Sequence, residues 1–277
     1  MKRCLAHSIS CVALLLALPF PATAHEFWML PEPFILAPGE TTQLTMHVGE
    51  QFVGDLVPFS TRYVESLRHY AKGRATDLEG HVPAGMQLPA LRLAIETPGS
   101  HMVAFDSNPS QVTLSADKFH AYLREEGLEH IIVQRDRAKQ AETPGRERFR
   151  RHVKTLVRVG EVSDDTYAAR TGQRLEIVPS SDPLAARAGD TLLVQLLFDG
   201  QPLAGALVKA WHKRGRQTLI VRVSTDAEGK AAFDMPYGGA WMISVVHMLP
   251  AADGKDIDWD SHWGNLTFEL RERTPVP

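Results

Sequence analysis

The sequence predicts a mainly β protein made of two β-sandwich domains, with a short helical insertion in the first. Three observations carry this. Short apolar runs alternate with Gly, Asp and Pro turns through the last third of the chain. Near the start, "TTQLTMHVGE" alternates with a period of two, placing Leu44, Met46 and Val48 on one side and Thr45 and His47 on the other. The helix signal in "ADKFHAYLREEGL" follows a capping Ser115, with Phe119, Tyr122 and Leu123 on one face.

The first 24 residues read as a secretory signal. Lys2 and Arg3 lead into the apolar run Val12–Phe20, Pro21 breaks it, and Ala22-Thr23-Ala24 is a small-x-small cleavage site. The run is shorter than the ~20 residues a membrane span needs. The expectation is a periplasmic protein whose mature chain begins at His25. Both cysteines, Cys4 and Cys11, leave with the leader. No later segment is apolar enough to cross a bilayer. With 30 Lys and Arg against 33 Asp and Glu, the chain has no basic field, so nucleic acid is not an expected partner.

The first domain is expected over 25–178. "LRLAIET" and "SHMVAFDS" read as a strand pair around Pro98-Gly99. "QRDRAKQAETPGRERFRRH" is dense in charge and broken at Pro144-Gly145, and reads as a charged helix–turn–helix or an exposed arm. "HVKTLVRVG" and "RLEIVP" return to strand. Pro179–Gly189 reads as a linker. The second domain, 188–271, holds six strand-like runs: Thr191–Phe198, Ala206–Trp211, "QTLIVRVS", a short run after the Asp226–Gly229 turn, "GGAWMISVVHM" and "SHWGNLTFELR".

Without cysteine, a transition-metal site must use imidazole, carboxylate or the terminal amine. Of twelve histidines, only His7 lies in the leader. Nitrogen donors suit nickel, cobalt, copper and zinc. If the chain is cut before His25, its amine and ring Nδ1 form a natural chelate. The amine titrates at about 7.7–8.0, so losing its proton costs little. His247, at the end of an apolar strand, His47, beside a Gly turn, and His262 are the candidate partners. On residue type alone His247 reads first as a satisfied core histidine and His47 as a solvent-facing strand residue, and the ligand reading stands beside each. Asp256, Asp258 and Asp260 alternate as a Ca²⁺ loop could, but lack the Gly and distal Glu of an EF-hand. They read better as a solvated loop, with Trp259 and Trp263 packing over a sandwich edge. No H-E-x-x-H, G-x-S-x-G or phosphate-loop motif is present, so no enzyme class is indicated.

"DGQPLAGALVKAW" followed by "STDAEGKAAFDMPYGGAWMISV" resembles the transthyretin-like and carboxypeptidase-regulatory-like sandwiches, which implies an immunoglobulin-like or transthyretin-like fold and no particular function. Over residues 24–270, "AHEFWMLPEPFILAPGE", "HVGEQFVGD", "KFHAYLREEGL", "VVHM" and "DWDSHWGNLTFEL" resemble a bacterial periplasmic family of unknown function. That family is described as the periplasmic component of nickel or cobalt uptake (NikM-like). The resemblance implies metal handling, with His25 and His247 as ligands and an inner- or outer-membrane transporter as partner. Two other readings stand beside it. One is a copper oxidase of the polysaccharide-monooxygenase type, built on an N-terminal His. The other is a non-catalytic scaffold.

Overall fold

The computed structural model describes residues 25–273 apart from 83, 84, 86, 253 and 255. The expected leader and its cleavage site lie outside the described residues. The strands are β1 (Glu26–Glu32), β2 (Ile35–Leu36), β3 (Thr41–Glu50), β4 (Val53–Val57), β5 (Val64–Ala71), β6 (Arg74–Asp77), β7 (Leu91–Ala94), β8 (Gly99–Ser107) and β9 (Ser110–Leu114). Two helices follow, α1 (Ala116–Glu125) and α2 (Glu129–Arg137). The chain continues as β10 (Gly145–Val159), β11 (Leu175–Pro179), β12 (Asp190–Phe198), β13 (Gln201–Pro202), β14 (Leu207–Arg214), β15 (Gln217–Ser224), β16 (Lys230–Met235), β17 (Gly239–Pro250) and β18 (Trp259–Leu270). The protein is mainly β, as expected, and all six C-terminal runs are strands. No helix among the described residues is long and apolar enough to cross a membrane.

Three sheets form three layers. The central sheet runs β15-β14-β17-β18-β10-β8-β5-β6, with β2 and β9 also paired to β10. One outer sheet (β1, β3, β4, β7) packs on one face, where Phe27, Met29, Leu44 and Met46 meet Phe105 and Val153. The other outer sheet (β11, β12, β13, β16) packs on the opposite face, where Leu175, Val194 and Phe233 meet Leu156, Val245 and Leu266. The two sandwiches therefore share their middle layer. The sheet is continuous across the expected domain boundary, because β10 pairs in parallel with β18. Pro179–Gly189, expected as a linker, connects two strands of one sheet, β11 and β12.

Two expected elements are placed differently. β7 and β8 do not pair with each other: β7 joins β3 and β8 joins β5 and β10. The Pro98-Gly99 corner carries the chain from an outer sheet to the central one, so it is not a hairpin turn. "GRERFRR" is neither helix nor arm. It is the first half of β10, between β9 and β18. Its charges are tolerated there because the parallel register sets Arg148 against Asp260, and Arg146 reaches Asp258, each arginine gripping its carboxylate at 2.6 Å. Those aspartates are thus committed to arginines. Asp260 belongs to β18, and Trp259 and Trp263 are buried against Phe119 and Tyr122 of α1.

α1 buries Phe119, Tyr122 and Leu123, the face its periodicity predicts. Its Phe119 ring lies on Gly145, where an added Cβ would come 2.4 Å from the ring. Gly145→Ala is therefore expected to destabilise the fold by about 1–3 kcal/mol through overpacking. Urea unfolding measures this, and an unchanged midpoint would mean that the ring gives way freely.

Candidate functional site

β-strand alternation sends the side chains of His247 and Ser244, three residues apart on β17, to opposite faces of the central sheet. Ser244 Oγ donates to Glu26 Oε1 at 2.8 Å, and Thr267 Oγ1 donates to the Met29 carbonyl at 2.6 Å, so β1 covers that face. His247 and His262 point the other way, toward β12. They are direct cross-strand partners in the β17–β18 register.

The Asp199-Gly200 turn builds the wall over them. Both residues have positive φ, 49° and 76°, and they join β12 to β13 by a two-residue hairpin pairing Phe198 with Gln201. This fixes Phe198, whose ring stands edge-on to His247 at 4.4 Å and to His262 at 5.2 Å between centroids. It also fixes Asp199, which takes two bonds from the Arg174 guanidinium, from Nε at 2.8 Å and Nη2 at 3.2 Å. The guanidinium carbon lies 4.9 Å from the Phe198 ring centre.

A hydrogen-bonded row runs from Arg174 across two histidines to Asp106. Arg174 Nη1 is 3.1 Å from His262 Nε2, His262 Nδ1 is 2.9 Å from His152 Nε2, and His152 Nδ1 is 2.6 Å from Asp106 Oδ1. An arginine can only donate, so His262 Nε2 must accept. Its Nδ1–H then donates to His152, whose Nδ1–H donates to Asp106. One tautomer assignment satisfies the whole row, and in it all four ring nitrogens are committed. Gln173 Nε2 adds a donor to Asp106 at 3.2 Å. His152, Arg150 and Arg174 line a cleft of about 540 Å³ beside the row.

Burial pushes His262 down to about 2, helped by His152 and the positive charges of Arg174 and Arg150. Below its ordinary pKa of 6.5 the unfolded chain takes up a proton that folded His262 refuses, so the unfolded state binds more protons. Stability from this group is therefore full above about pH 6.5 and is lost as pH falls toward 2. In His262→Gln, proton uptake on unfolding near pH 5 is expected to drop by about one. The slope of denaturant stability against pH, compared with the parent, measures it. Equal slopes would show that the ring is not held neutral.

His247 is different in kind. Neither of its ring nitrogens has a hydrogen-bond partner among the described residues. Burial holds it down to about 4, with His130 and Arg174 adding to the effect. It lines a second pocket of about 340 Å³ with His130, Leu128, Val246 and the Leu203–Leu207 loop. The His130 and His247 ring centres are 6.3 Å apart. His130 Nε2 donates to the Met248 carbonyl at 3.3 Å, which leaves its Nδ1 lone pair open. A nitrogen–metal bond is about 2.0–2.1 Å long, so an ion shared by the two rings requires one nitrogen of each to be turned toward the other. Among the described residues no three His, Cys, Asp or Glu side chains stand together closely enough to hold one.

Of the four histidines expected as ligands, the structure brings together His247 and His262 only. His25 precedes β1, and its Nδ1 is 3.5 Å from Glu50 Oε1 at the far end of the outer sheet. β1, which His25 precedes, and β3, which holds His47, belong to the outer sheet that covers the opposite face of the central sheet from His247. His47 stacks on Trp28 with centroids 5.5 Å apart, its Nε2 is 2.8 Å from Thr45 Oγ1, and burial lowers its pKa. His130, His152, Asp106 and Arg174 were not among the expected residues. They are brought to the site by α2, β10, β8 and the approach to β11, and no sequence spacing links them.

Fold and site together define a layered β-sandwich protein with an imidazole-lined pocket on one face of its central sheet. The model of a family described as "Domain of unknown function (DUF4198)" matches residues 22–249, and the chain belongs to that family. No curated protein matches the chain. Among solved structures it is similar to three N-terminal domains of the bacteriophage RB49 outer capsid protein Hoc, at 10% identity and TM-score 0.19, covering 90% of this chain and 59% of that one. It is also similar to Clostridium thermocellum CbhA fibronectin(III)-like modules, at 9% identity and TM-score 0.18, covering 93% of this chain and 96% of that one. A third is native E. coli alpha-2-macroglobulin, at 12% identity and TM-score 0.24, covering 86% of this chain and 13% of that one.

Proposed function

We propose that this protein is a periplasmic, non-enzymatic binder of a late transition-metal ion, nickel or cobalt, which it carries to a membrane metal transporter. The observation that carries the reading is the state of His247. Its ring is neutral down to about pH 4, has no hydrogen-bond partner at either nitrogen among the described residues, and lies 6.3 Å from a second imidazole that lines the same pocket. Neutral imidazole is the ligating form. The resemblance to nickel and cobalt uptake components supports the choice of metal, since inherent affinity favours copper at any nitrogen site. The ion is held by His247 and His130, while His262 serves behind them as a hydrogen-bonded support. His25 and His47 belong to the other side of the molecule.

The test is calorimetric titration of protein processed at Ala24–His25 with Ni²⁺ and Co²⁺. One residue added before His25 leaves the affinity unchanged, whereas loss of His247 removes it. An affinity that follows the amine of His25 and ignores His247 would move the site to the other face.

A further inference from the structure

We propose that Arg158 and Ser100 form a binding site for a small carboxylate anion, gripped by the Nε–Nη2 edge of the guanidinium. The site is separate from the His130–His247 pocket and stands or falls independently of the metal reading.

Three observations lead here. The first is a buried cation with nothing to hold. Arg158 lies near the end of β10 and is 3% exposed. Its Nε and Nη2 are buried and have no hydrogen-bond partner among the described residues. A guanidinium keeps its charge inside a protein. Burying that charge unpaired is costly, and leaving its N–H groups unmet adds to the cost. Arg135 shows how the chain otherwise answers such a group. It is 2% exposed, and its Nη2 donates to the carbonyls of Gln140 at 2.7 Å and Thr143 at 2.6 Å.

The second is which two nitrogens are unmet. Nε–H and the N–H of Nη2 beside it run parallel and match the two oxygens of one carboxylate. Three other arginines of this protein use that edge. Arg146 grips Asp258 through Nε at 3.0 Å and Nη2 at 2.6 Å. Arg148 grips Asp260 in the same way at 2.6 and 2.7 Å, and Arg174 grips Asp199 at 2.8 and 3.2 Å. Arg158 presents the same fork, and no carboxylate among the described residues fills it.

The third is the company Arg158 keeps. Ser100 faces it directly in the β8–β10 register, so the two side chains lie on one side of the sheet. Ser100 is fully buried, and its Oγ also lacks a partner. Its hydroxyl supplies a third donor. The charged groups that act on Arg158 are engaged elsewhere. Burial and then Arg271 oppose its charge, and Arg271 is held by Glu161 at 2.8 Å. Glu161 and Asp182 favour the charge, each less than Arg271 opposes it. Both oxygens of Asp182 are taken, Oδ2 by Ser163 Oγ at 2.6 Å and Oδ1 by the Leu184 N–H at 2.9 Å. Both Arg158 and Ser100 are buried, so only a small headgroup reaches them.

The experiment uses the full mature chain in Tris chloride at pH 8, with acetate or formate exchanged for chloride at constant ionic strength. Each carboxylate is expected to raise Tm saturably, by about 5–10 °C at about 100 times its dissociation constant. The carboxyl resonance of ¹³C-labelled acetate is expected to broaden as protein is added. Arg158→Met is expected to abolish both effects and, in chloride alone, to be at least as stable as the parent, because it removes an unpaired buried cation. Arg158→Lys keeps the charge but loses the fork, and is expected to bind acetate about tenfold or more weakly. Ser100→Ala is expected to lose about tenfold. If acetate and formate move Tm no more than chloride does, water or a rotated Asp182 meets the edge and the inference is overturned. It is likewise overturned if Arg158→Met responds to acetate like the parent. Should Arg158→Met fail to fold, Arg158→Lys decides: acetate binding equal to the parent's overturns the inference.

Discussion

His247→Ala is expected to weaken Ni²⁺ binding by about 100-fold or more. Losing even an outer partner of a metal site typically costs about 10–100-fold, and His247 is one of only two protein donors here. Its side chain meets Phe198 and the pocket, and no hydrogen bond among the described residues depends on it. The substitution should therefore leave the fold intact, which thermal unfolding without metal will verify. His130→Ala is expected to lose a similar factor, and the double variant little more than either single one, because one remaining imidazole on an apolar pocket holds an ion weakly. His25→Ala and His47→Ala should bind as the parent does. A His247→Ala protein that binds Ni²⁺ within about threefold of the parent would eliminate the pocket as the site.

Lys209→Met is expected to give the largest loss of stability. Lys209 is 1% exposed on β14 and holds two carboxylates that are almost as deeply buried: Glu126 Oε1 at 2.7 Å and Glu26 Oε1 at 3.1 Å. Removing the cation strands both. Breaking a buried ion pair from one side costs about 3–5 kcal/mol. In a chain of this size each kcal/mol lowers Tm by about 2–4 °C, so a drop of about 6–20 °C is expected by scanning calorimetry. Burial already raises Glu126 to about 7. Without Lys209 it would take up a proton more readily still, so the deficit should shrink as pH is lowered toward 5. A Tm within about 2 °C of the parent at pH 8 would show that water reaches these groups.

The C-terminal strands were legible because Asp, Gly and Pro turns bound the short apolar runs, even where β17 and β18 are buried on both faces and do not alternate. The Asp199-Gly200 pair even locates the wall of the site, since it fixes the hairpin that presents Phe198. β10 was not legible. Its first half, "GRERFRR", looks solvated by composition, and the aspartates that neutralise it stand 112 residues later. The same distance hid the site. His247 and His262 could each be singled out, but nothing local says that they are partners; only the β17–β18 register does. His152 reaches His262 across a parallel pairing, and His130 arrives on a helix whose charge suggested mere surface. The chelate expected at His25 joined residues by chemistry alone. Strand alternation and the burial of β1 then put His25 and His247 on opposite sides of a sheet.

The parallel pairing of β10 with β18 has a consequence for how the molecule comes into being. The middle layer cannot close until the last dozen strand residues have been delivered, because β18 fills the slot between β10 and β17. Sequence-distant closures of this sort are slow. Until that closure, β10 presents a long open flank with unsatisfied backbone groups, a template on which any extended neighbour could add. The arginines along its first half give that flank a positive charge during the wait, so that two unfinished copies repel each other before either can zip onto its twin.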